Sequence, residues 1–318
     1  MEKNIFIDTD AGLDDIIAIC MLILSDKFTI RGISVVNGVA SVKRGTTNIA
    51  RLLNYLDKQI PIYSGINQQK QKSSKQFPSQ DRKRVNQLSP LTIKLPARSQ
   101  TIQDIKQITD VFERIKNPLP IFCVGPLSNI ASLIKKDSIK GKIERLVIMG
   151  GSVFEKGNVK PSFQTEYNIR LDPQAAKTVF TSTIPKVLIP LDAVSYAPAL
   201  LKNNTKEKPA FLLKNFLEWL RTFTLSTKAA KIIQDIILNN IDDFSYFYDP
   251  LAAAILINPN IVKKTVQGNS IVSTSKRTFG KLSFYQKKGS NTKIVMSIDS
   301  SKFYKLLKTL LQKTPPQK

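Results

Sequence analysis

The stretch Ile5-Phe6-Ile7-Asp8-Thr9-Asp10-Ala11-Gly12-Leu13-Asp14-Asp15 decides how the rest of this chain is read. An apolar run ends on Asp8, and Ala11 and Gly12 are small enough for a tight loop. Ile16, Ile17, Ile19, Cys20, Met21 and Leu22 then follow as a helix buried over most of its surface. The pattern is a strand giving way to a helix, with four carboxylates at the junction. In open α/β sheets the carboxyl ends of the strands form the ligand crevice. Four like charges within eight residues repel one another. A helix N-terminus offsets about 0.3–1 kcal/mol per carboxylate. A hard divalent cation offsets far more, and oxygen-only donors suit Ca2+ or Mg2+. The alternative reading of the same spacing is a loop in which Asp14 or Asp15 merely caps the helix.

Outward from this stretch, strand and helix patterns alternate. Residues 29–36 are β-rich and close on Asn37-Gly38, residues 42–56 have helical apolar spacing, and residues 60–63 form a short strand before Gly65. Residues 119–124, 146–151 and 186–191 read as further strands, and residues 101–115 and 209–239 as helices. Residues 265–298 read as closing strands and 302–311 as a terminal helix. The alternation predicts an α/β fold, a mostly parallel open sheet flanked by helices, with right-handed crossovers. Its 318 residues, 42% hydrophobic, suffice for one domain spanning 1–318. Residues 67–100, dominated by Gln, Lys, Ser and Pro, are predicted to form a mobile surface loop, a place where lids occur.

Lys and Arg exceed Asp and Glu by 24. Such a balance can signal nucleic acid or an anionic surface. The basic residues are spread along the chain, however, and no nucleic-acid motif accompanies them. They are densest at Lys70, Lys72, Lys75, Arg82, Lys83 and Arg84, and at Lys202, Lys206 and Lys208. The balance reads as a solvated, Lys-rich surface. No run of 18 apolar residues predicts a membrane span. Strand pattern begins by Asn4, leaving no room for a signal peptide, so a cytoplasmic protein is expected. Cys20 and Cys123 lie in apolar segments and read as buried free thiols of a reducing compartment. Histidine is absent, so any proton transfer must use other side chains.

Residues 8–15 resemble the signature of the inosine–uridine-type nucleoside hydrolases, usually Asp-Thr-Asp-Pro-Gly-x-Asp-Asp, with Ala11 in place of the proline. Gly125-Pro126-Leu127-Ser128-Asn129-Ile130-Ala131 resembles that family's Gly-Pro-Leu-Thr-Asn-Ile-Ala element. Gly157-Asn158, Glu166-Tyr167-Asn168-Ile169 and Asp172-Pro173-Gln174-Ala175-Ala176 are similar to its ribose-binding stretch. Tyr248-Asp249-Pro250-Leu251-Ala252-Ala253 is similar to its His-Asp-Pro-Leu-Ala-Ala helix start. The pieces occur in family order over nearly the whole chain.

The resemblance implies calcium-dependent hydrolysis of the N-glycosidic bond of ribonucleosides, in purine or pyrimidine salvage. It implies Ca2+ held by Asp10, Asp15, Asp249 and the Val124 carbonyl, with Asp10 as general base and Asp8 orienting the loop from behind. Asp14, Asn158, Glu166 and Asn168 would hold the ribose, whose vicinal hydroxyls suit paired acceptors and donors. The family's second strand often ends in Gly-Asn. Here the order is Asn37-Gly38, and both a ribose contact by Asn37 and plain turn chemistry remain open. Tyr248 stands where the family often has a histidine that assists the departing base. It is the leading donor and Tyr246 the second, with simple ring packing as the alternative. The implied partners are a small ribonucleoside and further copies of the chain, as a dimer or tetramer, with no membrane. Two rival readings are a haloacid-dehalogenase-type phosphatase with Asp8 as nucleophile, and a non-catalytic nucleoside- or nucleic-acid-binding homologue.

Overall fold

The opening apolar run is a strand whose last five residues are buried. It belongs to a sheet of ten: β1 (Lys3–Thr9), β2 (Phe28–Val35), β3 (Ile62–Ser64), β4 (Ile102–Asp104), β5 (Leu119–Val124), β6 (Ile143–Met149), β7 (Lys186–Ile189), β8 (Val262–Val272), β9 (Leu282–Gln286) and β10 (Thr292–Ile298). The computed structural model describes residues 3–66, 77–87, 100–160, 162, 164–198, 209–240 and 246–315. The strand order is β4-β3-β2-β1-β5-β6-β7-β10-β8-β9. From β4 to β10 neighbouring strands run parallel, and β8 and β9 complete the sheet antiparallel. This is the mostly parallel open sheet that the strand–helix alternation predicts.

The chain runs outward from β1 through β2, β3 and β4, then returns to β5 on the other side of β1. The gap between β1 and β5 is therefore a topological switch point, where open sheets bind ligands. The register makes the edge level there. Thr9 pairs with Val35 on one side and Val124 on the other, and Cys123 pairs with Ile148. Side chains alternate between faces. Ile5 and Ile7 join one hydrophobic cluster, and Phe6 joins the other with Tyr63 and Phe112.

Helices cover both faces: α1 (Leu13–Ser25), α2 (Val42–Tyr55), α3 (Ser79–Gln87), α4 (Ile108–Arg114), α5 (Ser128–Leu133), α6 (Asp137–Lys140), α7 (Tyr167–Leu171), α8 (Pro173–Thr181), α9 (Leu191–Val194), α10 (Pro209–Thr222), α11 (Lys228–Asn239), α12 (Tyr248–Ile257) and α13 (Ser300–Leu311). In α1 every residue from Ile16 to Leu22 is fully buried. Each large apolar side chain there contributes about 1.5–3 kcal/mol on burial. A charge placed at Ile17 would therefore dislodge the helix. Packing of α1 against α12 and α11 sets where both α1 and α12 begin, at the edge occupied by β1 and β5.

Two stretches differ from the sequence reading. Residues 101–115 are not one helix. Ile102–Asp104 extends the sheet edge beside β3, and a capping box follows: Asp104 accepts from the Lys106 amide at 2.8 Å, and Gln107 accepts from the Asp104 amide at 2.9 Å. That box starts the helical turns late, so only Ile108 and Phe112 are buried on α4. Within 67–100, residues 79–87 are helix α3, tethered where Asn48 Nδ2 donates to the buried Val85 carbonyl at 3.0 Å. The rest of the expected loop, residues 67–76 and 88–99 with Lys70, Lys72 and Lys75, lies outside the described residues, as do Lys202, Lys206, Lys208 and Phe244. Cys20 and Cys123 are free and buried. Among the described residues no helix is long and apolar enough to cross a membrane.

Candidate active site

The loop from β1 to α1 is held by its own side chains. Thr9 Oγ1 donates to Asp15 Oδ1 and accepts from the Ala11 amide at 2.9 Å. Asp15 Oδ2 accepts from the Gly12 amide at 3.0 Å, closing a cap at the start of α1. The capping role considered for Asp15 is thus real, and it leaves the carboxylate facing its acidic neighbours. Ala11 has a φ of 55°. This left-handed conformation costs an L-residue roughly 1–2 kcal/mol. Proline, fixed near −65°, does not fit it, so the departure from the related motif at this position has a local structural counterpart.

Asp10 accepts from the Val39 amide at 2.8 Å. A Cβ on Gly38 would lie 2.0 Å from Asp10 Oδ2, so the loop after β2 approaches this carboxylate only because Gly38 has no side chain. Asp249, in the first turn of α12, comes against Asp14 and Asp15. Oxygen atoms of Asp14, Asp15 and Asp249 lie within 4.8 Å of one another, and Asp10 contacts the group through Asp15.

Burial and mutual repulsion raise the pKa of Asp10 and Asp249 well above the carboxylate range, and that of Asp14 to about 7. Burial also raises Asp15, against the hydrogen bonds from Thr9 and Gly12. Three buried carboxylates, Asp10, Asp15 and Asp249, with the half-buried Asp14 beside them, offer only oxygen donors and fit a hard divalent cation. The two helix N-termini meeting here favour the ionised form of the carboxylates that would hold it.

Asp8 is not part of this cleft. It is fully buried behind it, with Oδ1 accepting from Ser34 Oγ and from Asn129 Nδ2 at 2.8 Å. Asn129 Oδ1 accepts from the Ile66 amide at 2.9 Å, which links β1 to the end of β3. Burial pushes the Asp8 carboxyl up to about 7. The nucleophile that the phosphatase reading requires is thus buried at 0% exposure and outside the cleft wall.

The second wall follows β6. Gly151, at φ 77°, turns the chain so that its amide donates to Glu166 Oε2 at 2.9 Å. Glu166 caps α7, accepting from the amides of Asn168 at 2.9 Å and Ile169 at 3.2 Å. Burial nevertheless raises its pKa. Asn168 Nδ2 donates to the Met149 carbonyl at 3.2 Å, which leaves Oδ1 to accept from a ligand. Asn158 Oδ1 accepts from the Tyr167 amide at 3.1 Å, and its side chain also bonds the Tyr248 phenol. Burial, then the neighbouring Asp14, raises the Tyr248 pKa, so the phenol keeps its proton at neutral pH.

These residues enclose a cleft of about 430 Å3, within the range of small-molecule sites. Of the residues singled out from sequence, Asp10, Asp14, Asp15, Val124, Asn158, Glu166, Asn168, Tyr248 and Asp249 all line it. Asn37 does not, and neither does Tyr246, whose ring meets Tyr248 edge-on at 6.0 Å. The cover comes from the 67–100 stretch, where a lid over the base was one expectation, as Phe77, Pro78, Asp81 and Val85; Val85, Tyr167 and Lys160 were not singled out from sequence. Phe77 stacks on Tyr167 with ring centroids 4.5 Å apart. The signal available was an aromatic–proline pair following a polar tract, and Tyr167 between two residues already singled out.

A sequence model of the family described as inosine-uridine preferring nucleoside hydrolase matches residues 5–305. The chain is 32% identical over 212 residues to a non-specific ribonucleoside hydrolase, RihC, of Escherichia fergusonii, and 33% identical over the same length to RihC of Escherichia coli. Each match covers 62% of this chain and 64% of the relative, so the chain spans just under two thirds of the curated relatives it matches. Its fold is similar to a plant nucleoside hydrolase, PpNRh1, with a TM-score of 0.80 at 19% identity, covering 98% of this chain and 99% of that one. It is also similar to an inosine-uridine preferring nucleoside hydrolase of Bacillus anthracis, with a TM-score of 0.76 at 20% identity and the same coverage. With a family match running almost end to end, and the quoted motifs gathered at one sheet edge, the chain belongs to the inosine-uridine preferring nucleoside hydrolase family.

Proposed function

We propose that this protein hydrolyses the N-glycosidic bond of ribonucleosides in a calcium-dependent reaction, releasing ribose and the free base. One observation carries the reading: a cluster of four carboxylates, three of them buried, shares a cleft with Asn158, Glu166, Asn168 and a protonated Tyr248, at the switch point of the sheet. The ribonucleoside hydrolases among its relatives support the substrate class.

Asp10, Asp15, Asp249 and the Val124 carbonyl would hold Ca2+, with Asp14 in the same carboxylate group. Bound there, the ion supplies positive charge that acidifies water and receives the vicinal diol. Asp14, Asn158, Glu166 and Asn168 hold the ribose hydroxyls. Asp10 takes a proton from the attacking water as its oxygen bonds to C1′. The C1′–N bond breaks and its electron pair leaves with the base. Positive charge developing on the ring is stabilised by the surrounding carboxylates. Tyr248 donates a hydrogen bond to the departing nitrogen. Its raised pKa keeps it protonated and makes complete transfer costly, so stabilising the leaving anion is its main role. The proton on Asp10 then returns to solvent, and solvent protonates the departed base, so that water is consumed and ribose and the neutral base are released.

The chain acts as one domain over residues 1–318, in cytoplasmic nucleoside salvage. Chromatography of calcium-loaded protein with uridine or inosine tests the reading: ribose and base should appear in equal amounts. Phosphate release from a phosphomonoester without ribose release would replace it with the phosphatase reading.

A further inference from the structure

Lys160 is the one cation among the described residues lining the cleft. Every other charged group there is an acid. Asp10, Asp14, Asp15 and Asp249 form the carboxylate cluster, Glu166 is taken up by backbone amides, and Asp81 stands beside the Tyr167 ring. Lys160 is exposed and makes no ion pair with a described residue.

Its position is fixed by a pinned turn. The Asn158 and Val159 amides both donate to the Thr165 carbonyl, at 3.0 and 3.1 Å, and Val159 is buried. A Cβ on Gly157 would lie 2.1 Å from that same carbonyl oxygen, so the turn can close this tightly only on glycine. Lys160 therefore emerges two residues beyond Asn158, the residue assigned above to the sugar, and lines the same cleft. A neutral nucleoside has no anion to offer it. A lysine ammonium is a strong partner for phosphate oxygens, and a chain with net charge +24 draws anions toward it.

We infer that Lys160 is a specificity residue for a phosphate on the sugar, and that the protein accepts ribonucleoside 5′-monophosphates in the same cleft. The reaction is the one proposed above, with ribose 5-phosphate as the sugar product, and the inference rests on that reading. With the vicinal diol at the carboxylate cluster, the 5′ end of the ribose would be left to the other wall of the cleft, formed by Asn158, Glu166 and Asn168, and Lys160 lies on the turn that carries Asn158. Phosphate oxygens there accept from the ammonium, while Asn158 keeps its bonds to Tyr167 and Tyr248.

The test compares uridine with uridine 5′-monophosphate at low ionic strength, in the wild type, Lys160→Gln and Lys160→Glu. The readout is the ratio of the two kcat/KM values, with inhibition by ribose 5-phosphate and ribose measured alongside. The wild type should turn over the monophosphate, and ribose 5-phosphate should inhibit it more strongly than ribose. Lys160→Gln should lower the kcat/KM ratio about tenfold or more, the scale of one charge-assisted hydrogen bond, and Lys160→Glu should lower it further. Uridine turnover with no monophosphate turnover, or a ratio that the variants do not move, overturns the inference and leaves the hydrolase reading standing. If neither substrate is turned over, the hydrolase reading fails. Calorimetry of ribose 5-phosphate binding to calcium-loaded protein then decides separately, and equal affinity in wild type and Lys160→Gln overturns the role of Lys160.

Discussion

Replacing Tyr248 by Phe removes one hydroxyl and little else. The ring keeps its edge-on contact with Tyr246, 6.0 Å between centroids at 72°, and α12 keeps its start. The folded state loses the bond between the phenol and Asn158, about 1 kcal/mol for a neutral pair, so the variant should fold with a small drop in Tm. In the reaction the loss is larger, because the acceptor is a base leaving as an anion. A hydrogen bond to a charged group is worth about 1.5–3 kcal/mol, which corresponds to roughly 10- to 150-fold in rate. Tyr248→Phe should therefore slow kcat for inosine and uridine by about that factor. p-Nitrophenyl riboside, whose leaving group needs no donor, should slow by about threefold or less. The assay is steady-state kinetics on the three substrates with calcium-loaded enzyme. Equal slowing of all three would refute the reasoning and reduce Tyr248 to a packing residue.

Asp15→Asn should sharply weaken calcium binding by calorimetry, since a charged, potentially bidentate ligand becomes a neutral amide; unchanged affinity would remove Asp15 from the metal site. A 2′-deoxyribonucleoside should be turned over more slowly by a factor of roughly 10⁴, because a site built around the diol is left with unpaired polar groups; comparable kcat/KM for the two sugars would contradict the ribose assignments. Lys186 is 1% exposed, and its ammonium donates to the carbonyls of Ser182 and Ile184 at 2.8 and 2.6 Å. Burial pulls its pKa down to about 8. Between that pH and the ordinary lysine range the unfolded chain holds the proton and the folded one releases it, so this group adds stability as pH rises. Urea unfolding of wild type and Lys186→Met across that window should show the wild-type stability rising relative to the variant; parallel curves would sink the assignment.

What was legible in the sequence was local. Asp8 to Asp15 announce a strand-to-helix junction because the apolar run, the small residues and the acids are contiguous. Asp249-Pro250 marks a helix start for the same reason. The strand–helix alternation sufficed for the parallel sheet. The cover of the cleft was legible only as a stretch where a lid could form; the way Val85 and Phe77 are held, through tertiary contacts with Asn48 and Tyr167, is encoded by no spacing. α3 is otherwise polar, with Val85 its only strongly apolar residue, so nothing in its periodicity separated it from loop. The misread start of α4 had a signal: Asp104 and Gln107 at capping-box spacing place the helix after the box. Asn37 shows the converse, a residue named by resemblance that the turn leaves outside the cleft.

In the proposed reaction the acidic cluster at the β1–β5 edge holds the calcium that ribonucleoside hydrolysis requires. Reducing-sugar release from uridine, measured after exhaustive calcium chelation and again after adding Ca2+ back, tests it most directly. Ribose release should disappear with the metal and return with Ca2+. Undiminished release from protein shown by elemental analysis to be metal-free, or no release from the calcium-loaded protein, would contradict it.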